Sequence, residues 1–380
     1  MNVLMVSPYP THPATGGNRA RIRGLAQELV RLGHEVHFLY WAIEQGLVSL
    51  RGMASLFGRE RVHAPIFRAT EVYREYVRKP TGQAFGVDDW YSEHLSDHLA
   101  ALGARHRFDV VIAEYVFLSK ALELFPDALR LLNVHDSFAD RAELYRAIGR
   151  RPRWFHTSLE EELRGFNRAD VVIASHDADA AAFRGRRNLS ASVVSIGHFV
   201  DLERTAEPAD NGAAAYLAGP NLFNVHDVGR FLDEVAPRIA ERAPDFRLIA
   251  AGRICEQLAD HPRLQKAGEV AHPADAFSLG AVSLAPARAG TGASIKLLES
   301  VAAGAPTVAT RTGARGLVEA LDGGLVVVDD ERPAAFADAV LALLSDAGLR
   351  RELAARGRRR VVDWRSLQVE TLRRTLQRAA

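Results

Sequence analysis

Residues 282–309 read VSLAPARAGTGASIKLLESVAAGAPTVA, and this stretch has the pattern of a βαβ unit. A short apolar run ends at Ala285, and a glycine-rich loop follows it. A helix is predicted over residues 294–303, because Ser294 is a favourable N-cap residue. The next strand is predicted over residues 307–309. Two short apolar strands on either side of a helix indicate a parallel sheet.

Short apolar runs alternate with helical stretches through the rest of the chain as well. Strands are predicted over residues 3–7, 35–41, 109–113, 130–134, 170–174, 192–196, 216–218, 247–251, 282–285, 307–309 and 325–328. Helices are predicted over residues 18–32, 225–242, 294–303, 333–345, 347–362 and 364–380. This alternation predicts an α/β fold with two Rossmann-like, doubly wound domains that face each other across a cleft.

The length of 380 residues also favours two domains, because single hydrophobic cores stop growing at roughly 250–300 residues. The predicted N-terminal domain covers residues 1–200 and is joined by the C-terminal helix 364–380. The predicted C-terminal domain covers residues 214–363. The segment 202–213 is polar and contains proline and glycine, as expected for an interdomain region.

Composition excludes several classes of protein. Charged residues make up 25% of the chain, and 48 basic against 47 acidic residues leave a net charge of +1. The chain is therefore neither a highly charged disordered protein nor attracted as a whole to nucleic acid. Its one cysteine, Cys255, excludes an internal disulfide and a cysteine-rich zinc site. Without a signal-peptide pattern or a run of 18 apolar residues, we expect a soluble, cytoplasmic protein.

Lys296 and Glu299 are the first candidates for a functional site. They lie three residues apart on one face of the predicted helix, behind the glycine-rich loop. A lysine and loop amides at a helix N-terminus can neutralise a diphosphate, and a carboxylate can accept both ribose hydroxyls. The alternative is an ordinary surface ion pair worth about 0.2–0.5 kcal/mol. The glycine-rich loop favours a sugar-nucleotide site.

A second glycine loop follows the first predicted strand. Gly16 and Gly17 lie where this loop enters a helix, so their backbone can approach a phosphate closely. Neither the GxGxxG fingerprint nor a P-loop occurs at this position, which argues against a nicotinamide dehydrogenase.

Residues 286–316 resemble the donor-binding segment of retaining GT-B glycosyltransferases of family 4. The likeness lies in the glycine-rich loop, the Lys-Leu-Leu-Glu helix, the Ala-Ala-Gly-Ala-Pro turn and the following Val-Ala-Thr strand. It extends to the loop with Gly16 and Gly17, to DVVIAS at residues 170–175 and to residues 196–201. Residues 219–234, GPNLFNVHDVGRFLDE, resemble one subgroup of the family.

The resemblance implies transfer of a sugar from a nucleotide diphosphate donor, of the UDP or GDP type, to an acceptor hydroxyl. The reaction would retain the anomeric configuration and need no metal and no other cofactor. Glu299 is implied as the ribose ligand and Lys296 as a phosphate ligand, both in the catalytic centre. The implied donor-binding residues are Gly16, Gly17, Arg253, Arg288, Gly290, Thr291, Gly292, Ser294, Ile295, Lys296 and Glu299.

His135 follows a predicted strand in the sequence Asn-Val-His-Asp. The family has a histidine at this place, facing the donor sugar and the acceptor, so the resemblance implies a catalytic role for His135. Asp136 would orient His135 or cap the next helix, and Glu114 and Tyr115 are candidate acceptor contacts. The alternative is that His135 is one of 14 histidines and only caps a strand.

The sequence departs from the family pattern at three places, one of which is His198, where the family has an asparagine. Thr291 stands where the family has a carboxylate, and Pro220 and Asn224 occupy the region where it has an arginine and a lysine. Two alternatives therefore stay open beside the glycosyltransferase. One is a sugar-nucleotide epimerase or hydrolase of the same fold, and the other is a degenerate nucleotide-sugar-binding subunit.

Three arginine-rich stretches are relevant to the prediction of binding partners. They are residues 146–153, followed by Trp154, and residues 184–187 and 356–360. They are consistent with solvated helix faces or with peripheral contact to anionic lipid at the inner face of a membrane. No aromatic ladder accompanies them, so nucleic acid is not expected as a partner. The expected acceptor is a carbohydrate, a lipid-linked or a small-molecule hydroxyl, and the expected product is a glycan, a polysaccharide or a glycosylated natural product.

Overall fold

A computed structural model describes residues 1–14, 16–43, 48–65, 83–147, 149–152, 154–289, 292 and 294–379. The chain divides into two compact units, one formed by Met1–Phe199 with Gln368–Ala380 and the other by Val200–Leu367. Each unit has its own parallel sheet. The described residues include no helix that is long and apolar enough to span a bilayer.

Unit 1 contains a seven-stranded sheet in the order β3-β2-β1-β4-β5-β6-β7. Its strands are β1 Asn2–Ser7, β2 Glu35–Tyr40, β3 Val62–His63, β4 Val110–Glu114, β5 Leu129–Asn133, β6 Val171–Ala174 and β7 Ser192–Ser195. Its helices are α1 Gly17–Arg31, α2 Leu50–Phe57, α3 Glu93–Gly103, α4 Arg141–Ala147, α5 Leu159–Phe166 and α6 Asp177–Arg184. All the strand pairs are parallel, and β4 is buried along its whole length, as expected for a sheet covered on both faces.

Unit 2 contains a six-stranded parallel sheet in the order β10-β9-β8-β11-β12-β13. Its strands are β8 Ala214–Leu217, β9 Leu248–Ala251, β10 Leu264–Gly268, β11 Val282–Ala285, β12 Thr307–Thr310 and β13 Val326–Val328. Its helices are α7 Leu222–Arg230, α8 Ala236–Ala240, α9 Pro273–Phe277, α10 Ile295–Ala302 and α11 Pro333–Ser345. A further helix, α12 Ala347–Leu376, has its last nine residues in unit 1. The parallel strands and their covering helices confirm the predicted α/β class.

Three predicted helices differ from the structure. Residues 225–242 form α7, a π-helical turn at Phe231–Val235 and the short α8 rather than one helix. Pro237 has no N–H to donate to the preceding turn, so regular helical hydrogen bonding is interrupted there. The two predicted C-terminal helices, 347–362 and 364–380, are one continuous α12, because no glycine or proline separates them.

The structure also contains edge strands that the sequence did not reveal. β3 has only two residues, and β10 is largely exposed, so neither carries a run of buried apolar residues. Apolar periodicity detects buried strands and misses such edges.

A glycine at the carboxyl end of the unit 2 sheet provides a test of packing. A Cβ atom on Gly313 would lie 2.0 Å from the carbonyl oxygen of Ala285, at the end of β11. We expect Gly313→Ala to lower the free energy of unfolding by about 1–3 kcal/mol, measured by urea denaturation. Gly229→Ala is the control, because nothing lies within 4 Å of its Cβ position on α7. Equal stability of the two variants would contradict this packing.

Candidate active site

The sheet order of unit 2 defines a place where ligands bind in folds of this kind. β8 and β11 are neighbours, while the chain leaves them toward β9 on one side and β12 on the other. Such a switch point opens a crevice at the carboxyl ends of the strands, where loops lead into helix N-termini. Here the two loops enter α7 and α10.

The ammonium of Lys296 lies at this switch point. Its Nζ donates hydrogen bonds to Tyr216 Oη at 2.8 Å and to Asn224 Oδ1 at 2.7 Å, and it lies 4.6 Å from the centroid of the Tyr216 ring. Tyr216 belongs to β8 and Asn224 to α7, so a lysine on α10 places its charge at the end of β8. That is the region where the family arginine and lysine are missing from the sequence.

The carboxylate of Asp227 interacts electrostatically with this lysine. It lies one turn beyond Asn224 on α7 and is 2% exposed. Its Oδ1 accepts a hydrogen bond from the backbone N–H of Arg288 at 3.2 Å, whereas Oδ2 has no hydrogen-bond partner among the described residues. Burial lowers the pKa of Lys296, and the Asp227 carboxylate opposes that shift. Burial likewise raises the pKa of Asp227, and Lys296 opposes it.

Glu299 lies in α10, one turn after Lys296, and is partly buried. Burial raises the pKa of its carboxyl to about 8. A carboxyl in such an environment gains from hydrogen-bond donors that stabilise its ionised form. Vicinal hydroxyls of a ribose are donors of this kind.

The N-terminus of α10 is a further part of the candidate donor site, beside Lys296 and Glu299. Ser294 is the N-cap residue, yet its side chain does not cap the helix, and Ile295 is the first helical residue. Gly292 has φ +69°, and its carbonyl oxygen accepts hydrogen bonds from Arg315 Nε at 3.3 Å and Nη2 at 2.9 Å. Gly290 and Thr291 lie outside the described residues. The N-cap side chain therefore does not occupy the first-turn amides of α10. A phosphate ligand at a helix N-terminus requires such unoccupied amides.

The two candidate arginines have different surroundings. Arg253 follows β9, is half-exposed and lies 3.7 Å from a Glu269 carboxylate oxygen. Arg288 is mostly buried, and its guanidinium pairs with Glu234 at 3.1 Å and Glu331 at 3.3 Å. Arg288 would have to leave both carboxylates to bind a phosphate, so Arg253 fits the predicted role better.

In unit 1, the glycine pair lies at the start of α1, after β1. Gly16 is the N-cap residue in an extended conformation, and Gly17 is the first residue of the helix. Gly16 has no side chain to cap this end, the first turn contains no acidic residue, and Asn18 Oδ1 accepts a hydrogen bond from the Arg19 N–H at 2.9 Å. This helix N-terminus therefore has the properties that an anion needs.

His135 lies just beyond β5 and contacts the end of β4. Its Nε2 lies 2.7 Å from Glu114 Oε2, and its ring stacks on Tyr115 with centroids 3.9 Å apart. Glu114 is fully buried, and the His135 side chain is 7% exposed. Burial lowers the pKa of His135, while the Glu114 carboxylate raises it.

The remaining unit 1 candidates have defined partners. Asp136 Oδ2 accepts a hydrogen bond from Arg141 Nη1 at 2.8 Å, and Glu114 is the carboxylate that contacts His135. Of the two roles considered for Asp136, orienting His135 therefore falls to Glu114. Glu114 has no exposed surface, so an acceptor cannot reach it in this state. Tyr115 is also buried, beneath the His135 ring.

The sequence patterns did not predict several residues of these sites, among them Tyr216, Asp227, Arg315, Arg21 and Asn133. Tyr216 and Asn133 read as ordinary strand residues, and Arg21 is one of many arginines on a helix. The Asn-Val-His-Asp sequence placed Asn133 next to a candidate site, which was the available signal. Among the described residues, no group of three His, Cys, Asp or Glu side chains is arranged to hold a metal ion.

Residues 215–346 match the family model described as glycosyl transferases group 1. This part of the chain is therefore similar to the group 1 glycosyltransferases. The matched segment contains most of β8, all of β9 to β13, and both Lys296 and Glu299. A search among curated proteins found no match.

Solved structures show that the chain has the GT-B fold. Sucrose-phosphate synthase from Thermosynechococcus elongatus is 16% identical, with a TM-score of 0.71 over 100% of both chains. TarM of S. aureus is 10% identical, with a TM-score of 0.71 over 99% of both chains. The pneumococcal O-GlcNAc transferase GtfA is 11% identical, with a TM-score of 0.68 over 100% of this chain and 99% of its own.

Proposed function

We propose that the protein is a glycosyltransferase that transfers a sugar from a nucleoside diphosphate donor to an acceptor hydroxyl, with retention at the anomeric carbon and without a metal ion. The observation that carries the proposal is the position of Lys296 at the β8–β11 switch point, with Glu299 one turn further along α10. Retention is supported by the resemblance of residues 286–316 to retaining enzymes.

In this proposal the charge on the leaving diphosphate is stabilised by fixed protein groups. Lys296 lies beside the carboxyl end of β8, and the first-turn amides of α10 follow the neighbouring strand β11. Preorganised donors and cations of this kind stabilise developing negative charge without reorganisation. Glu299 accepts the ribose hydroxyls, and His135 contacts the transferred sugar or the acceptor.

We propose uridine as the base of the donor. The structure of TarM includes UDP, that of HepE from Anabaena includes UDP and glucose, and that of GtfA includes UDP and GlcNAc. These ligands belong to proteins of the same fold and support a uridine donor for this chain.

The test combines binding with product analysis. A ligand at 100 times its Kd stabilises a protein by about 2.7 kcal/mol, so UDP should raise the melting temperature more than GDP, ADP or TDP. With UDP-sugars and a panel of acceptors, NMR of the product should show the anomeric configuration of the donor. Activity should be unchanged in EDTA. Inversion of the configuration would refute retention, and loss of activity in EDTA would refute metal-free transfer.

A further inference from the structure

Four buried side chains of unit 1 form one hydrogen-bonded chain that ends at His135. Arg21, on α1, donates from Nη2 to Asn133 Oδ1 at 2.8 Å and to the Ile196 carbonyl at 2.9 Å. Asn133, at the end of β5, donates from Nδ2 to Glu114 Oε2 at 2.9 Å. The same Oε2 lies 2.7 Å from His135 Nε2. Hydrogen bonds at the carboxyl end of the sheet thus connect the guanidinium of Arg21, a permanent cation, to the imidazole of His135.

The direction of every hydrogen bond in this chain is fixed by chemistry. A guanidinium only donates, so the amide oxygen of Asn133 must face Arg21. The amide NH₂ of Asn133 must then face Glu114, which receives that hydrogen bond as an acceptor. Histidine is more basic than a carboxylate, so the proton shared between Glu114 and His135 rests on Nε2.

We infer that Arg21, Asn133 and Glu114 are positioning residues that hold His135 in the Nε2–H tautomer. Its Nδ1 then presents a lone pair, which accepts a hydrogen bond from a hydroxyl of the sugar or of the acceptor. This inference rests on the proposed function, because it assigns His135 to the substrate hydroxyls of that reaction.

The tautomer matters because a neutral imidazole has one donor and one acceptor. Burial lowers the pKa of His135 and thereby favours the neutral ring. The ring cannot turn over freely, because it stacks on Tyr115 and would leave the buried Glu114 carboxylate without its 2.7 Å partner. The loss is costly, because the buried carboxylate would keep only its hydrogen bond from Asn133. The chain therefore selects which ring nitrogen meets the substrate.

The experiment is nitrogen NMR of histidine-labelled protein without substrate, with His135 assigned by comparison with His135→Gln. We expect a protonated Nε2 and an unprotonated Nδ1 in the wild-type protein. The Glu114→Gln side chain can donate or accept, so it should yield a mixture of tautomers and reduce kcat/KM about ten-fold or more, a modest share of what a positioned acid–base group contributes. Glu162→Gln is the matched control. Glu162 is equally buried, but it bonds Arg186 and the Phe138 amide.

The outcomes separate this inference from the proposed function. A wild-type His135 with its proton on Nδ1 would overturn the inference, and that measurement needs no variant. An unchanged tautomer and unchanged kcat/KM in Glu114→Gln would also overturn it. If the expected tautomer is found but no nucleotide diphosphate binds, the positioning chain stands and the proposed function fails. A tautomer mixture in Glu114→Gln but not in Glu162→Gln would support the inference that Glu114 positions His135.

Discussion

Lys296→Met should reduce kcat of sugar transfer by about 10²–10³-fold, the usual loss when one preorganised donor to a developing oxyanion is removed. Methionine keeps an unbranched apolar stem, so the packing of α10 should persist. The hydrogen bond between Tyr216 and Asn224 also remains available in the variant. Steady-state kinetics and a urea unfolding curve of the same preparation measure both effects.

The control for this variant is Lys266→Met in the same unit. Lys266 lies in the edge strand β10, where its Nζ pairs with Asp260 at 2.6 Å. Its kcat should equal that of the wild-type protein, because exposed ion pairs contribute little. If Lys296→Met unfolds the protein but leaves specific activity intact, Lys296 is a structural residue.

Glu299→Ala should weaken nucleotide binding by about 1–3 kcal/mol, which is about 5- to 150-fold in Kd. The reason is that two ribose hydroxyls would lose their acceptor in a partly buried site. Isothermal titration with UDP measures the effect, and Glu241→Ala, which changes an exposed glutamate at the end of α8 in the same unit, is the control. Unchanged affinity for uridine, guanosine, adenosine and thymidine diphosphates would remove the role assigned to Glu299.

The raised pKa of Glu299 adds a pH dependence to the same test. Between the ordinary pKa of a glutamate and about 8, the folded protein holds a proton that the unfolded chain has released. The free energy of unfolding should therefore fall as the pH rises through this interval. Glu299→Gln cannot ionise, so its stability should fall less than that of the wild-type protein. Parallel stability profiles of the two proteins would contradict the burial of this carboxyl.

Local sequence patterns were sufficient for much of the architecture. The buried strand β11 and the helix α11 have the bounds predicted for them, because apolar periodicity and flanking turn residues act over a few neighbouring positions. The same periodicity placed Lys296 and Glu299 on one helix face. It failed at β10, which buries little apolar surface, and at Phe231–Val235, where the helix takes a π turn.

The sequence by itself determined two sets of βα units and the candidate residues at the ends of their strands, since these depend on neighbours along the chain. Only the tertiary structure decided which side chains meet. Lys296 bonds Tyr216 and Asn224 from 80 and 72 positions away, and Arg21 bonds Asn133 across 112 positions. Such contacts follow from the order of the strands, because neighbours in a parallel sheet bring distant segments to one edge.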